Sequence, residues 1–317
     1  QLIVSAREVN KFHGTFLSSI MKYQVNGRIH GEINQLRGDN GGTVSGRLSM
    51  SNPNLQQVPA RNKDFGPKIR SLFIPEEGFK WGSFDYSQQE PRMTVHYAAS
   101  IGEGYEGSNE LVQAYQNSEA DFHQTVADLV GIERTQAKTI GLGLMYGMGK
   151  NKLAISLGVS KDEADELIIK YNKKVPFVKK LSDRCKFAAD EKGVIRTKKG
   201  RKCRFDMWET RDFGLHIAEK YEDAVAKYGK NNIKRAYTYK ALNRLIQGSS
   251  ADQTKQSMLD CFNEGHLPML QIHDELCFNV KDEKHAKEIQ KIMQNAIKFK
   301  VPSVVDFGLG KSWGDAK

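Results

Sequence analysis

Paired cysteines are missing from the 317-residue sequence. Its four cysteines, Cys185, Cys203, Cys261 and Cys277, are far apart and form no Cys-x-x-Cys pair. This spacing excludes the common zinc-binding patterns and a dense disulfide framework. Free thiols are typical of a reducing compartment, so we expect a protein of the cytoplasm.

Long apolar runs are also missing. The longest nearly apolar run, around Ile140 to Met148, has about nine residues, whereas a membrane span needs roughly 18. The first residues contain Arg7, Glu8 and Lys11 without a long apolar stretch, so we expect neither a signal peptide nor a membrane partner. Gln1 is typical of the start of a fragment. Proline is scarce and hydrophobic residues make up 39%, which excludes collagenous and disordered chains.

Positive charge is in excess. There are 48 Lys and Arg residues against 38 Asp and Glu residues, so the formal net charge is +10 and the pI is about 9.2. This excess favours a polyanionic partner. Basic residues are dense from Lys179 to Lys202, where a helix is predicted to lead into a hairpin with Gly200 at its turn. A solvated surface and a phosphate-binding role explain this hairpin equally well.

The pattern of apolar residues predicts long helices mixed with a few strands. Apolar residues three and four apart predict a helix over residues 1 to 25, and further helices from Lys161 to Lys174 and about Tyr237 to Cys261. One strand is predicted to end in "KWGSFD", and two strands are predicted to meet at His273 to Glu275. This mixture favours an α+β fold of one or two domains over a doubly wound sheet.

A carboxylate lies at the end of the predicted strand in "FDYSQQEPR". A strand would fix Asp85 while leaving its tip open, which is typical of a metal ligand. Ser87 and Glu90 have the spacing of a capping box at a helix start. From these residues alone, helix capping is the better explanation of Glu90.

Two adjacent acidic residues, Asp274 and Glu275, lie among apolar residues at the junction of the two later strands. Adjacent carboxylates in such surroundings repel each other and lose hydration unless a cation lies between them. The pair therefore favours a metal ion over a buried salt bridge. Oxygen ligands without a Cys or His cluster favour Mg²⁺ over zinc.

The helix predicted in "RTQAKTIGLGLMYG" combines cations with apolar residues. At 100° per residue, an arc of about 80° contains Arg134, Lys138, Met145 and Leu142, and Tyr146 lies at its edge. Two cations four residues apart repel each other, so this face suits a bound triphosphate, with Leu142 and Tyr146 as apolar surface for a base. A solvated helix face is the alternative.

Six motifs between about Thr43 and Val280 follow one another in an order typical of a single enzyme family. They are "TVSGRLSMSNPNLQQVP", "DYSQQEPR", "DFH", "RTQAKTIGLGLMYG", "NRLIQGSSAD" and "QIHDE", and the closing "GLGKSWGDAK" is a further match. In these motifs the sequence resembles the family A DNA polymerases, that is, bacterial DNA polymerase I and its phage relatives. The resemblance implies a right-hand polymerase core with an antiparallel palm sheet, inserted helical fingers and a partial thumb.

The resemblance also implies an activity and assigns metal ligands. The expected enzyme is a DNA-directed DNA polymerase that adds deoxynucleotides to a primer 3′-hydroxyl in the cytoplasm of a bacterial or phage-infected cell. Asp85 and Asp274 match the carboxylates that hold two Mg²⁺ ions, with the backbone carbonyl of Tyr86 as a further ligand. Glu275 matches a supporting carboxylate. One ion would lower the pKa of the 3′-hydroxyl and the other would neutralise the leaving pyrophosphate.

Nucleotide-binding residues follow from the same resemblance. Arg134, Lys138 and His123 match fingers residues that bind the phosphates, and Lys138 is also expected to protonate the leaving group. Glu90 matches the steric gate that excludes a 2′-hydroxyl, with the hydroxyl of Tyr146 bonded to it. The full predicted set is Tyr86, Glu90, His123, Arg134, Lys138, Leu142 and Tyr146.

Contacts with primer and template are expected at a separate set of positions. These residues would contact the minor groove, where acceptors common to every correct base pair can be tested without reading the sequence. The set is Arg47, Asn243, Gln247, Gln271 and His273.

Three positions differ from the family pattern. Pro91 stands where relatives usually have Leu, and a proline at the fourth helical position would remove a backbone hydrogen bond and change the placement of Glu90. Leu142 stands where relatives usually have Phe or Tyr, which leaves sugar discrimination and speed open. Tyr239 stands where bacterial relatives have Arg.

The resemblance implies four segments: residues 1–30 as a thumb remnant, 31–100 and 236–317 as the two parts of the palm, and 101–235 as the fingers. Primer-template DNA and dNTPs are the expected partners. Because most of a thumb and an exonuclease domain are missing from this stretch, we expect weak, salt-sensitive DNA binding without proofreading. An N-terminal portion or a second chain is expected to dock near Val9 to Ile20.

Two other functions stay open at this point. A single-subunit RNA polymerase of the same superfamily is opposed by Glu90 at the gate position. A non-catalytic basic DNA-binding fragment is opposed by the presence of both Asp85 and Asp274. Ribonucleotide incorporation and primer extension separate these alternatives from a DNA polymerase.

Overall fold

The computed structural model describes residues 6–7, 9–10, 12–36, 38, 41–59, 62, 64–116, 121–212, 214 and 216–316. Its α-helices are α1 Ser18–Tyr23, α2 Gly66–Arg70, α3 Gln89–Ala99, α4 Ser108–Gln116, α5 Phe122–Val130, α6 Arg134–Met145, α7 Lys150–Leu157, α8 Lys161–Lys174, α9 Pro176–Lys192, α10 Tyr221–Tyr228, α11 Ala241–Asn263 and α12 Glu283–Asn295. A π-helix covers Phe12–Leu17, and 3-10 helices cover Leu55–Gln57, Lys230–Asn232 and Thr238–Lys240. Within the described residues, no helix is long and apolar enough to span a membrane.

The strands are short and pair in antiparallel fashion. They are β1 Gln24–Val25, β2 Arg28–Ile29, β3 Glu32–Asn34, β4 Ser49–Ser51, β5 Lys80–Tyr86, β6 Val194–Arg196, β7 Lys202–Arg204, β8 Trp208–Thr210, β9 Ile233–Arg235, β10 Pro268–Ile272, β11 Glu275–Val280 and β12 Val305–Gly310. Four of them form one sheet in the order β10-β11-β5-β12, and the others pair two by two. The predicted helices around residues 161–174 and 237–261 and the strand pair meeting at 273–275 are confirmed.

The chain divides into two compact units. The first unit comprises residues 1–87, 250–298 and 303–317, and the second comprises residues 88–249 and 299–302. These boundaries differ from the predicted ones at residues 100 and 235. Residues of α3 pack in the same apolar cluster as the helices that follow, so the chain leaves the first unit as soon as β5 ends. The assignment of thumb, palm and fingers stays a prediction.

The four-stranded sheet of the first unit has two different faces, because side chains alternate along each strand. Phe84 and Tyr86 point into a cluster formed with α12 and the second half of α11. Trp81 belongs to a second cluster on the opposite face, which also contains Cys277 and Trp313. By the same alternation, Asp85 lies on the Trp81 face.

The N-terminal helical segment packs more completely than the sequence predicted. Phe12, Phe16 and Ile20 are buried in the apolar cluster of the first unit, and the ring of Phe12 stacks on Phe65 with centroids 4.4 Å apart. The docking that is expected near Val9 to Ile20 is therefore not needed to cover these three residues. A four-residue period places them on one side of the helical segment, which the first unit covers.

One buried histidine makes the second unit sensitive to acid. His96 on α3 is buried, and its Nδ1 accepts a hydrogen bond of 3.0 Å from the backbone N–H of Lys300. Burial lowers the pKa of His96 to about 4, and the charges of Lys198 and Lys300 lower it further. The unfolded chain, with a histidine pKa near 6.5, therefore binds the proton more readily than the folded chain.

We expect the free energy of unfolding to fall as the pH drops from about 6.5 towards 4. His96 alone should account for a loss of about 1 kcal/mol at pH 5, after allowance for solvent screening. Denaturant unfolding at pH 7 and pH 5 measures this loss in the parent and in His96→Gln, which keeps an acceptor but does not titrate. The same pH dependence in both proteins would show that His96 is not responsible.

Candidate functional site

The strand pairing of the first unit places three carboxylates in one row. Glu275 on β11 lies directly opposite Asp85 on β5, and Asp306 on β12 lies opposite Asp85 on the other side. Residues directly opposite on antiparallel strands point to the same face. The side chain of Asp85 is exposed, as expected for a ligand at a strand end.

Asp274 lies in the two-residue turn between β10 and β11. Ile272 and Glu275 close this turn, and His273 has a left-handed backbone with φ of 57°. That conformation is uncommon for residues other than glycine and costs roughly 1–2 kcal/mol. Glycine would form this turn more easily, so a histidine in this conformation favours a functional role for its side chain.

The pKa of Asp274 is raised above its ordinary value. Burial is the main cause, and the neighbouring charge of Glu275 raises the pKa further. A hydrogen bond from its own backbone and the positive charges of Arg47 and His273 act in the opposite direction but do not cancel the effect of burial. This carboxylate is therefore costly to ionise in the protein alone, and a cation nearby would lower that cost.

Glu275 is held by residues from elsewhere in the first unit. Its Oε1 accepts a hydrogen bond of 3.2 Å from Nε1 of Trp313, and the Sγ of Cys277 lies 3.6 Å from the same oxygen. The guanidinium of Arg70 stacks over the Trp313 ring at 4.4 Å and interacts electrostatically with Glu275. An anchored carboxylate with these partners fits the predicted supporting role.

Gln271 is engaged inside the protein. Its side chain is buried, its Nε2 donates a hydrogen bond of 2.6 Å to the carbonyl of His273, and its Oε1 accepts one of 2.8 Å from Gln56. These bonds support the turn that carries Asp274. The contact of Gln271 with DNA stays a prediction. It would require one of these two hydrogen bonds to break.

The carboxylates of the first unit have the chemistry that Mg²⁺ requires. Mg²⁺ is commonly bound by one or two carboxylates, and water and substrate phosphates supply the other ligands. Asp85 and Asp274 provide two such carboxylates. The side chain of Tyr86 is buried with its hydroxyl 2.6 Å from Ser257 Oγ, which leaves its backbone carbonyl as the predicted ligand. In the part of the chain that the structure describes, no three His, Cys, Asp or Glu side chains form a complete ligand cluster.

In the second unit, the residue before α3 has an unusual backbone conformation. Gln88 precedes the helix with a left-handed backbone, φ 51° and ψ 41°. Its Oε1 accepts a hydrogen bond of 3.0 Å from the backbone N–H of Phe122. This bond attaches the start of α3 to the start of α5, so it fixes the position of Glu90 relative to His123.

The structure assigns a residue other than Ser87 to the N-cap position of α3. The residue that caps α3 is Gln88, and its side chain makes no capping hydrogen bond. The carboxylate of Glu90 accepts a hydrogen bond from the hydroxyl of Tyr146, which is the contact that was predicted. The expected effect of Pro91 is also wrong, since Pro91 is the third residue of α3 and lies in the first turn, where N–H groups have no partner within the helix.

The cations of α6 are exposed, but they differ in their surroundings. Nε of Arg134 donates a hydrogen bond of 2.7 Å to Oδ2 of Asp121, and the two side chains form an ion pair. Within the described residues, Lys138 forms no salt bridge. Met145 is buried, contrary to its predicted place beside the cations, because Thr94 of α3 covers that end of α6.

His123 is buried beside these cations and is neutral. Burial is the main cause that lowers the pKa of His123 to about 4, and Lys138 and Arg134 lower it further against the opposing effect of Asp121. At neutral pH the ring therefore carries no charge. It can donate one hydrogen bond to a phosphate oxygen but cannot contribute an ion pair.

Asp121 is a functional candidate that the sequence analysis missed. It caps α5 by accepting hydrogen bonds from the backbone N–H groups of His123 and Gln124, and it also binds Arg134. Burial would raise the pKa of Asp121, but these hydrogen bonds lower it overall. The available signal was an Asp directly before apolar residues at helical spacing, Phe122, Val126 and Val130.

Asn243 and Gln247 are half-buried and lie four residues apart on α11, so they share one side of the helix. Arg244, between them, has a different role. Its guanidinium stacks over Phe205 at 4.4 Å and donates a hydrogen bond of 2.7 Å to the carbonyl of Arg204. The structure therefore separates a structural arginine from the two residues that are predicted to contact DNA.

Many helices together with an antiparallel sheet define an α+β protein, as predicted. The model of DNA polymerase family A matches residues 1–315. The chain belongs to this family.

Named relatives are found in phages and bacteria. The chain is 39% identical to a DNA-directed DNA polymerase of Pseudomonas phage M6, over 99% of this chain and 51% of that protein. It is 30% identical to a thermostable DNA polymerase I of Thermus filiformis, over 100% of this chain and 36% of that protein. The chain thus spans about half the length of the first curated relatives it matches.

A solved structure has a similar fold. It is the POL domain of Pol1 from M. smegmatis, in a complex with DNA primer-template and dNTP. The TM-score is 0.79 with 27% sequence identity, and the match covers 99% of this chain and 53% of that one.

Proposed function

We propose that this chain is the polymerase portion of a DNA-directed DNA polymerase, which adds deoxynucleotides to a primer 3′-hydroxyl. The observation that carries the proposal is the grouping of acidic residues in the first unit, where Asp85 lies opposite Glu275 and Asp274 lies in the adjoining turn. The relatives named as DNA polymerases support it. So does the primer-template and dNTP complex of the similar structure.

Two Mg²⁺ ions are the proposed cofactors. Asp85 and Asp274 would hold them, together with the backbone carbonyl of Tyr86. When bound, the ions supply an acidified primer 3′-hydroxyl and charge neutralisation for the leaving pyrophosphate. Glu275 keeps the local field negative while Trp313 fixes its orientation.

The second unit would bind the incoming deoxynucleotide. Lys138 would bind a phosphate oxygen directly and donate a proton to the pyrophosphate oxygen as it leaves. Arg134 would have to break its ion pair with Asp121 before it could bind a phosphate oxygen. His123 would add a neutral hydrogen bond. The half-buried Leu142 would offer an aliphatic surface to the base.

Primer-template DNA is the proposed macromolecular partner. Arg47 and His273 lie around the carboxylates of the first unit, where both interact electrostatically with Asp274. Asn243 and Gln247 share one side of α11. Together with Gln271, they would contact the minor groove near the primer terminus. In this proposal residues 31–100 and 236–317 form the palm, residues 101–235 the fingers and residues 1–30 part of the thumb.

Primer extension with Mg²⁺ and four dNTPs tests the proposed function directly. A DNA polymerase lengthens the primer with dNTPs, an RNA polymerase of the same superfamily uses ribonucleotides, and a non-catalytic fragment binds DNA without either product. The assay is run with and without an added N-terminal portion, supplied in one chain or as a second chain. A failure to extend under both conditions would refute the proposal.

Glu90 is expected to control sugar selection. Substitution of Glu90 by Ala should remove the carboxylate that excludes a 2′-hydroxyl. We expect the preference for deoxynucleotides over ribonucleotides, measured as a ratio of kcat/KM values, to fall by about 10²-fold. Tyr146→Phe is the matched control, because it removes only the hydroxyl that donates to Glu90 and should have a smaller effect. Unchanged discrimination in Glu90→Ala would contradict the gate.

A further inference from the structure

The hairpin of β6 and β7 in the second unit has one apolar face and one cationic face. Ile195 and Cys203 are buried on one side. On the other side Arg196 and Lys202 lie directly opposite each other, and Arg204 follows two residues along β7. All three cationic side chains are exposed.

Like charges directly opposite on paired strands destabilise a hairpin. The cost is normally relieved by a carboxylate nearby. Within the described residues, Arg196, Lys202 and Arg204 form no salt bridge. An arrangement that leaves this repulsion in place suits a ligand that supplies the missing negative charge.

The same cations line a pocket. Its volume is about 260 Å³, and its charged lining residues are Lys192, Arg196, Lys202, Arg204, Arg235 and Asp206. Five cations therefore face one carboxylate. A molecule of liquid water occupies about 30 Å³, so the pocket has room for a phosphate group and several waters.

Two arginines near the pocket are held by hydrogen bonds to backbone carbonyls, and one of them also packs on a ring. Nη2 of Arg201 donates a hydrogen bond of 2.6 Å to the carbonyl of Gly248 on α11. Arg235 stacks over Trp208 at 4.6 Å and donates a hydrogen bond of 3.0 Å to the carbonyl of Phe205. These contacts fix both ends of β7, so the exposed cations are positioned before any ligand arrives.

A glycine at the edge of the pocket allows a close approach of Arg235. Gly193 has φ of 64°, and a Cβ added there would lie 2.6 Å from the guanidinium of Arg235. Any other residue would therefore displace Arg235 from the pocket wall. Arg235 lines the pocket together with Lys192 and Arg204.

We propose that this pocket binds the phosphodiester backbone of a nucleic-acid strand, at a site separate from the carboxylates and from α6. Residues 192–204 contain seven Lys and Arg residues and no Asp or Glu. A run of cations that extends from the pocket to the hairpin tip suits an anion with repeated charges better than a single phosphate. This inference rests on the proposed function only where it identifies the polyanion as a nucleic-acid strand.

The test uses the double variant Arg196→Ala/Lys202→Ala and a fluorescein-labelled oligothymidylate. Fluorescence anisotropy measures the dissociation constant at several salt concentrations. Removal of each phosphate-binding cation should reduce the slope of log K against log[salt] by about 0.7 for a single strand. We expect the double variant to have a slope reduced by about 1.4 and an affinity at least tenfold weaker at low salt. Because the variant removes like charges that face each other, its Tm should be no lower than that of the parent.

Two matched variants separate the pocket from overall charge. Lys284→Ala/Lys291→Ala removes the same charge from exposed positions of α12 and should keep the parent slope to within measurement error. Arg196→Lys/Lys202→Arg keeps the charge in the pocket and should also keep it. A pocket variant with the parent slope would overturn the proposal. The proposal would also be overturned if the pocket variant lost affinity for inorganic phosphate but kept the parent affinity for oligothymidylate. The pocket would then bind a free anion and not a strand.

Primer extension is measured separately on the same proteins. A parent that binds oligothymidylate through the pocket but never extends a primer would refute the proposed function and leave this inference standing. A parent that extends primers while the pocket variant keeps the full salt slope would refute only the inference.

Discussion

Asp85→Asn and Asp274→Asn should each reduce primer extension by about three orders of magnitude while leaving DNA binding largely unchanged. Each change keeps the size of the side chain but removes a charged metal ligand. A bound metal supplies several kcal/mol of stabilisation to the transition state, and each 1.36 kcal/mol is a tenfold change in rate. Single-turnover extension rates measure the loss, and anisotropy with primer-template DNA measures the binding.

Asp306→Asn is the matched control for these two variants. Asp306 lies opposite Asp85 on β12, so the variant removes the same charge from the same row of the sheet. It should extend primers at a rate close to that of the parent. Equal losses in all three variants would indicate a general effect of charge, and a near-parent rate in Asp85→Asn or Asp274→Asn would contradict the metal assignment.

Asp274→Asn should not lower the thermal stability of the protein in metal-free buffer, although it removes activity. The pKa of Asp274 is raised mainly by burial, so its ionised form opposes folding at neutral pH when no cation is present. The amide removes that cost. We expect a Tm in metal-free buffer that is at least equal to that of the parent. A clearly lower Tm would show that the carboxylate is a structural hydrogen-bond acceptor instead.

Lys138→Ala should lower the extension rate by about 10²- to 10³-fold at saturating dNTP, which is the usual loss when a charge-stabilising donor is removed. Arg134→Ala should lose less, because the charge of Arg134 is already engaged in the ion pair with Asp121. Single-turnover rates for the two variants give this order. Lys138→Arg should restore part of the rate, since it restores the charge but not the point geometry of an ammonium.

Lys152→Ala on α7 is the control for the Lys138 experiment, because it removes an exposed cation from the same unit. It should extend primers as the parent does. If Lys138→Ala kept the parent rate at saturating dNTP, Lys138 would have no role in the transition state. A loss confined to KM would limit it to nucleotide binding.

The secondary structure around the site could be predicted because it depends on local patterns. Apolar runs bounded by turn residues predicted the strand ending at Asp85 and the strand pair around His273, and the glycine at 200 predicted the turn of the basic hairpin. Gly200 has φ of 84°, so the structure requires there the conformational freedom that the prediction assumed. The helix from Arg134 was identified by its period, and the order of the motifs indicated the family.

Errors arose where a local pattern was interpreted without its neighbours. Ser87 and Glu90 have the spacing of a capping box, but the residue before α3 is Gln88 in a left-handed conformation, and Glu90 accepts a hydrogen bond from Tyr146. Met145 lies on the predicted cationic arc by angle, yet α3 covers it. Helical angles give the direction of a side chain but not what lies opposite it.

The sequence by itself determined the fold class, the family and the identity of the acidic and basic residues at the candidate site. Only the tertiary structure decided the charge state and the partners of those residues. His123 is neutral because the second unit buries it, Arg134 is engaged because Asp121 caps the neighbouring helix, and Glu275 is anchored because Trp313, 38 residues further along the chain, reaches it. Burial and pairing depend on contacts between distant segments, and a pattern of nearby residues contains no record of them.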